Sequence, residues 1–257
     1  MKKLENLVLF TFVLCASSVS AHHNESPYSY CANNPVNRID PDGRDYYRND
    51  QGAVFWREGS ANFVNVDGVR YRNIGETYSV YQFGQRLDYN QGNLVKVTNP
   101  EAEYNLEGGQ YIPHSFVTDD GTKVCVTFKY VSSSGGNGDK ALSSDAVSLL
   151  IDGVNEANKV DAGIKVTSLD VSTTTTGKHK SDNSSHYVKN GATAIDIDII
   201  NNVRVEDKAC RQTTRHLQNG FDRTGKAYQN IGPELQIGVK KYIGGHKNHI
   251  HIDALPY

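Results

Sequence analysis

At 257 residues, with 37% hydrophobic and 22% charged side chains, the chain can bury a core and is long enough for one or two domains. Lys and Arg total 27 against 29 Asp and Glu, a formal net charge of -2, and no basic block stands out. Binding to a phosphate backbone leaves a Lys/Arg footprint, so nucleic acid is not the expected partner.

At the N-terminus Lys2 and Lys3 precede an apolar run from Leu7 to Ala16, followed by the small-residue site Val19-Ser20-Ala21. The run is short for a bilayer span and reads as a secretory signal peptide over 1–21. The mature chain is therefore expected to be secreted or periplasmic, with no membrane attachment after cleavage. Cys15 leaves with that segment, and Cys31, Cys125 and Cys210 remain at wide spacing without a Cys-x-x-Cys pair. One disulfide with a free thiol and three reduced thiols both fit this pattern. Residues 22–44 are polar and turn-rich. The run Tyr28-Ser29-Tyr30-Cys31-Ala32-Asn33-Asn34-Pro35, followed by Asp40-Pro41-Asp42-Gly43, resembles the end of the Rhs repeat-associated core domain. That resemblance implies a remnant of a toxin-delivery shell ahead of a variable effector cassette, with an immunity protein as partner.

Residues 45–132 show short segments enriched in aromatic and β-branched side chains between Gly turns. Tyr46 to Arg48, Ala53 to Trp56, Phe63 to Val66, Val69 to Tyr71 and Lys123 to Tyr130 are the predicted strands. They suggest a β-rich spacer domain, set off by a Ser/Gly-rich linker over 133–139. The segment 140–257 then reads helix, strand, strand, helix, strand. Val147, Leu150, Ile151 and Val154 recur at helical spacing behind an N-cap at Ser143 or Ser144. A strand over Gly163 to Leu169 leads into a polar Thr-rich loop. A second helix over about Glu206 to Asn219 carries Cys210, Thr213 and Leu217 inward, with Gly220 as its C-cap. The expected fold class is α+β: a small antiparallel sheet with two helices, preceded by a β-rich N-terminal region.

Two late segments place polar groups on one face. In Ala194-Ile195-Asp196-Ile197-Asp198-Ile199 the carboxylates alternate with isoleucines, and in His249-Ile250-His251-Ile252-Asp253 the polar groups do the same. If the strands are neighbours, the isoleucines form a core layer and a His/Asp cluster faces a cleft. A carboxylate in an Ile-rich strand needs a cation, and His with Asp around an open position suits a catalytic zinc ion.

Ser184, His186, Gly191, Ala194 and Asp196, with His249 and His251, resemble the two motifs of the zinc D-Ala-D-Ala peptidase and endolysin family. That family shares its fold with the Hedgehog signalling domain. The resemblance covers roughly 140–257. It implies His186, Asp196 and His251 as ligands of Zn2+, His249 beside the metal as catalytic base or transition-state stabiliser, and a peptidoglycan stem peptide as substrate. Asp198 and Ser184 are expected to support the ligands from behind. The His186-to-Asp196 interval is longer than the commoner family pattern, with Tyr187 to Asn190 inserted. Asn248 stands where many members carry a catalytic Glu, leaving Glu234 and Asp198 as alternative carboxylate bases.

The other histidines read more blandly: His179 and His246 as loop residues, His216 as a surface position on the second helix, His114 without a partner. Two other functions are consistent with the sequence. One is a Hedgehog-like zinc domain that has lost its base and binds a partner. The other is a metal-dependent nuclease, because Gly244 to His249 loosely echoes a His-Asn-His site, although such a nuclease needs a helix after that segment.

Overall fold

The computed structural model describes residues 44–59, 61–129, 137–160, 162–176, 183–238 and 245–255. The expected signal peptide, nearly all of the Rhs-like segment, Cys31, His179 and the first half of the 133–139 linker lie outside the described residues.

The chain is mixed α/β, with mostly antiparallel strands and two α-helices among the described residues. It begins with strands β1 (Arg44–Asn49), β2 (Val54–Glu58), β3 (Phe63–Val66) and β4 (Val69–Gly75), which form a sheet in the order β2-β1-β4-β3. Strands β5 (Thr77–Gln82), β6 (Gln85–Asn90) and β7 (Asn93–Thr98) follow as a three-stranded meander. Their tight connections explain the register. Val66 pairs with Val69 across Asp67-Gly68, and Asn90 with Asn93 across Gln91-Gly92. Both central residues of each turn have positive φ, the type I′ geometry that matches the twist of a two-residue hairpin.

The larger sheet has eight strands. Strands β8 (Ser115–Val117) and β9 (Lys123–Phe128) pair antiparallel, and β9 then runs parallel to β10 (Ser168–Thr173). Next come β11 (Ala194–Ile200), β15 (Ile250–Ala254), β13 (Ala227–Ile231) and β14 (Gln236–Ile237), with the short β12 (Val203–Arg204) also on β11. Helix α1 (Ser144–Lys159) lies in the crossover that any parallel pair requires, and α2 (Arg211–Arg223) packs on it. Ser143 caps α1, accepting from Ala146 N at 3.2 Å, and Val147, Leu150, Ile151 and Val154 are fully buried.

This topology corrects the expected break between a spacer over 45–132 and a separate domain over 140–257. Strands β8 and β9 belong to the sheet that carries the His/Asp segments, and Tyr46 and Ile74 share one core with α1 and the isoleucines of β11. The Ser/Gly-rich stretch therefore falls inside the β9–α1–β10 crossover. The described residues fall in one compact unit.

Three further expectations change. The predicted strand over Gly163 to Leu169 starts later, at Ser168, and runs into the Thr-rich segment, whose Thr173 to Thr176 are buried by pairing with Asp196, Asn137 and Tyr187. Gly220 is not a C-cap. It lies within α2, where a Cβ would stand 2.3 Å from the Gly153 carbonyl oxygen of α1. His216 is buried rather than on the surface, with Nε2 unpartnered, and burial lowers its pKa.

Candidate metal centre

Strands β11 and β15 are hydrogen-bonded neighbours, and their register sets Asp196 opposite His251, Ile195 opposite Ile252 and Ile197 opposite Ile250. The four isoleucines are buried against the helices. Because side chains alternate along a strand, that buried layer forces Asp196 and His251 together onto the other face.

His186 arrives from the loop before β11. Its own carbonyl accepts from Thr176 N at 2.9 Å, and Ser184 Oγ accepts from His186 N at 3.3 Å. The inserted residues fold as a 3-10 turn over Val188–Asn190, closed by Gly191 at a φ of 94°. Ser185 Oγ and Thr193 Oγ1 each donate to Asp253 at 2.6 Å, which ties both ends of this loop to β15. The longer interval is thus absorbed as a compact turn, and His186 still reaches the cluster.

His186 Nε2 and His251 Nδ1 lie 3.1 and 2.8 Å from Asp196 Oδ1 and 3.3 Å from each other. Ligands at about 2.0–2.1 Å from a tetrahedral ion stand roughly 3.3 Å apart, so these three donors fit one metal ion. Ligand atoms of His186, Asp196 and His251 form the cluster able to hold a metal among the described residues. His186 Nδ1 lies 3.2 Å from the Thr174 carbonyl. A carbonyl only accepts, so Nδ1 carries a proton, which leaves Nε2 as the ring atom that can turn to a metal once it gives up its own proton, as histidine ligands are usually held.

The electrostatics suit a cation. Asp196 is largely buried, and its ion-pair partners are histidines, with no Lys or Arg among them in the described residues. Burial alone would raise its pKa, but the His186 and His251 imidazoles hold it well below the usual carboxylate range. For His186 burial would lower the pKa, and the Asp196 carboxylate more than offsets this and holds it above the ordinary value.

His249 stands just before β15, with Nε2 3.8 Å from Asp196 Oδ1 and Nδ1 2.9 Å from Asn248 Oδ1. His246, expected as a bystander in an exposed loop, is beside it: its ring centroid lies 4.7 Å from that of His249 and 5.3 Å from that of His251. Its Nδ1 is buried and without a hydrogen-bond partner. Burial, then the neighbouring His249 and His251, push its pKa down to about 4, so it is neutral at pH 7. His246 was legible only as part of the loose His-Asn-His echo, because a histidine in a Gly/Lys/Asn loop has no periodicity to place it.

Of the two expected supporting residues, Ser184 holds the backbone of His186, while Asp198 acts elsewhere. Asp198 shares the face of Asp196 but accepts from Ser172 Oγ at 2.7 Å and pairs with Lys129, so it orients no histidine. Glu234 pairs with Arg211 at 3.0 Å. Ser184 shapes the turn that carries His186. Asp253 and the Thr174 carbonyl are the groups that hold the His186 loop and ring, and neither was expected in that role. Cys125 is exposed, Cys210 is buried, and both are free thiols.

Compared with protein-family models, with curated proteins and with solved structures, the chain matches none.

Proposed function

We propose that this protein is an exported zinc-dependent peptidase that hydrolyses peptidoglycan stem peptides, built on a Hedgehog-like metal-binding fold and serving as an antibacterial effector paired with an immunity protein. The observation that carries the reading is the His186/Asp196/His251 cluster, two donors on adjacent strands and one on the loop before β11, with further imidazoles beside it. Two imidazoles and one carboxylate are the borderline donor set that zinc favours, and they leave a divalent ion with net positive charge. When bound, zinc supplies Lewis acidity toward a scissile carbonyl and toward water.

The chain's own groups supply the rest. His249 Nε2, beside Asp196 and partly open to solvent, accepts a proton from the attacking water and returns it to the leaving amine. Asn248 Oδ1 accepts from His249 Nδ1, which leaves Nε2 free to take that proton. Neutral His246 packs against His249 and limits its movement.

A second reading is a zinc-binding interaction domain without catalysis. It is favoured by the engagement of Asp198 and Glu234 elsewhere, which leaves neither as a carboxylate base at the cluster. A nuclease of the ββα type is not proposed, because a strand and not a helix follows His249.

Incubating purified, zinc-loaded protein with isolated peptidoglycan and assaying released peptides and new amino termini separates the two. Hydrolysis that is lost in His249→Ala supports the peptidase. A metal-loaded protein that releases nothing leaves the interaction domain.

A further inference from the structure

Away from the histidine cluster, Arg48 on β1 carries a buried charge that Asp152 and Asp50 offset only from a distance, since Asp152 forms its ion pairs with Arg72 and Lys226. The residue is 6% exposed, and among the described residues no carboxylate forms an ion pair with it. Its side-chain hydrogen bond is from Nη1 to Gln110 Oε1 at 2.8 Å. Gln110 is fixed in that pose, since its Nε2 donates to the Gly52 carbonyl at 2.7 Å. A guanidinium has five N–H donors, and among the described residues the bond to Gln110 is the side-chain hydrogen bond that Arg48 makes. Burial pushes its pKa down to about 10, which still leaves it charged at neutral pH. Tyr78 cannot be the counter-ion, because burial pushes its hydroxyl up to about 12. A buried cation with one neutral partner is costly unless something else compensates it.

Arg48 lines a cavity of about 40 Å3 with Arg86, Tyr78, Tyr111 and His114, and no Asp or Glu is among its walls. A second lobe of about 80 Å3 shares Arg86, Tyr111 and His114 with the first. One face of Arg86 is satisfied by Asp88, 2.6 Å from Nε, and its guanidinium lies 4.5 Å from the Tyr111 ring centre. Asp139 lines the second lobe, so the unopposed positive charge belongs to the Arg48 cavity, which accommodates a few water-sized groups, since one water needs roughly 10–15 Å3. It is too small for a large ligand and suits the head of one.

We propose that this cavity is a binding site for a small oxyanion, a carboxylate or a phosphate group, with Arg48 as its anchor and Arg86 and His114 on its walls. A planar guanidinium with free N–H groups grips either oxyanion in a fork, and the surrounding low-dielectric walls strengthen that grip. The site is independent of the metal cluster and of the peptidase reading.

The test is thermal unfolding and calorimetric titration of the full chain with inorganic phosphate and, separately, with acetate, against sodium chloride at matched ionic strength. Saturable stabilisation beyond the chloride control is expected, and the anion that produces it tells phosphate from carboxylate recognition. Arg48→Gln removes the response. Arg86→Gln, a change on the cavity wall that leaves Arg48 in place, weakens binding about tenfold or more, the loss of a charge-assisted contact. If Arg48→Gln does not fold, Arg86→Gln decides. No saturable response to either anion in folded wild-type protein overturns the proposal, as does an undiminished response in Arg86→Gln.

Discussion

Asp196 and His251 face each other across β11 and β15, with His251 Nδ1 2.8 Å from Asp196 Oδ1. The pair stands on the back of an isoleucine layer, so the hydrophobic core itself sets the spacing of two donors. His186 is the third donor and depends on a loop, which makes the loop's anchors the sensitive point.

Asp253 is that anchor. Asp253→Ala leaves the Ser185 and Thr193 hydroxyls without their acceptor and frees the His186 loop from β15. Metal affinity is expected to fall about 10- to 100-fold, the usual cost of losing a group that orients a ligand, while the fold persists. Competition with a chromophoric chelator reads the change; unaltered affinity shows that the loop needs no such tie.

His249→Ala separates binding from chemistry. It removes no member of the His186/Asp196/His251 set, so metal content is expected to be unchanged. On the proposed peptidase reading, hydrolysis of peptidoglycan is expected to drop by roughly 10²–10⁴-fold, the contribution of a positioned proton acceptor. Initial rates on purified stem peptides, at matched metal loading, make the comparison.

Stability of the metal-free protein depends on pH in a defined direction. The stability that His186 contributes is present below its ordinary pKa of 6.5 and is lost as pH rises through its raised folded-state value. The contribution of Asp196 is present above its ordinary 3.8 and is lost as pH falls through its depressed value. This pair therefore supports the metal-free fold most strongly between these ordinary values. A metal ion bound by His186 would compete with its proton, so metal affinity is expected to rise with pH over the range in which metal-free stability declines. Denaturant titrations of both forms across pH 4 to 9 display the crossing; parallel curves contradict it.

The α1–α2 contact gives a test that does not involve the site. A Cβ on Gly220 would stand 2.3 Å from the Gly153 carbonyl oxygen and 2.9 Å from Ala157 N. Both obstacles are backbone, so the helices have to separate. Gly220→Ala is expected to lose about 1–3 kcal/mol despite the better helix propensity of alanine, as seen in the urea midpoint.

The alternation of Asp196 with isoleucines made the shared face legible in the sequence, because a strand has a period of two and a buried layer on one side leaves no choice for the other. The α1 stripe was legible for the analogous reason at helical period. Other features depend on what lies across from them. Threonines 174–176 have the composition of a surface loop and are buried by pairing with chain distant in sequence. Gly220 carries the same local signal whether it caps a helix or admits a neighbouring one. The Ser/Gly-rich run marks flexible chain but not whether the strands on either side join one sheet, and here β9 and β10 do. His246 belongs to the cluster through loop geometry alone.

The most direct test is the metal content of the purified full chain, wild type beside His186→Ala and Asp196→Ala, measured by elemental analysis together with circular dichroism to verify folding. One zinc per wild-type chain, lost in both folded variants, is the expected result. A folded wild-type protein that takes up no metal, or variants that retain it in full, would contradict the assignment of the centre.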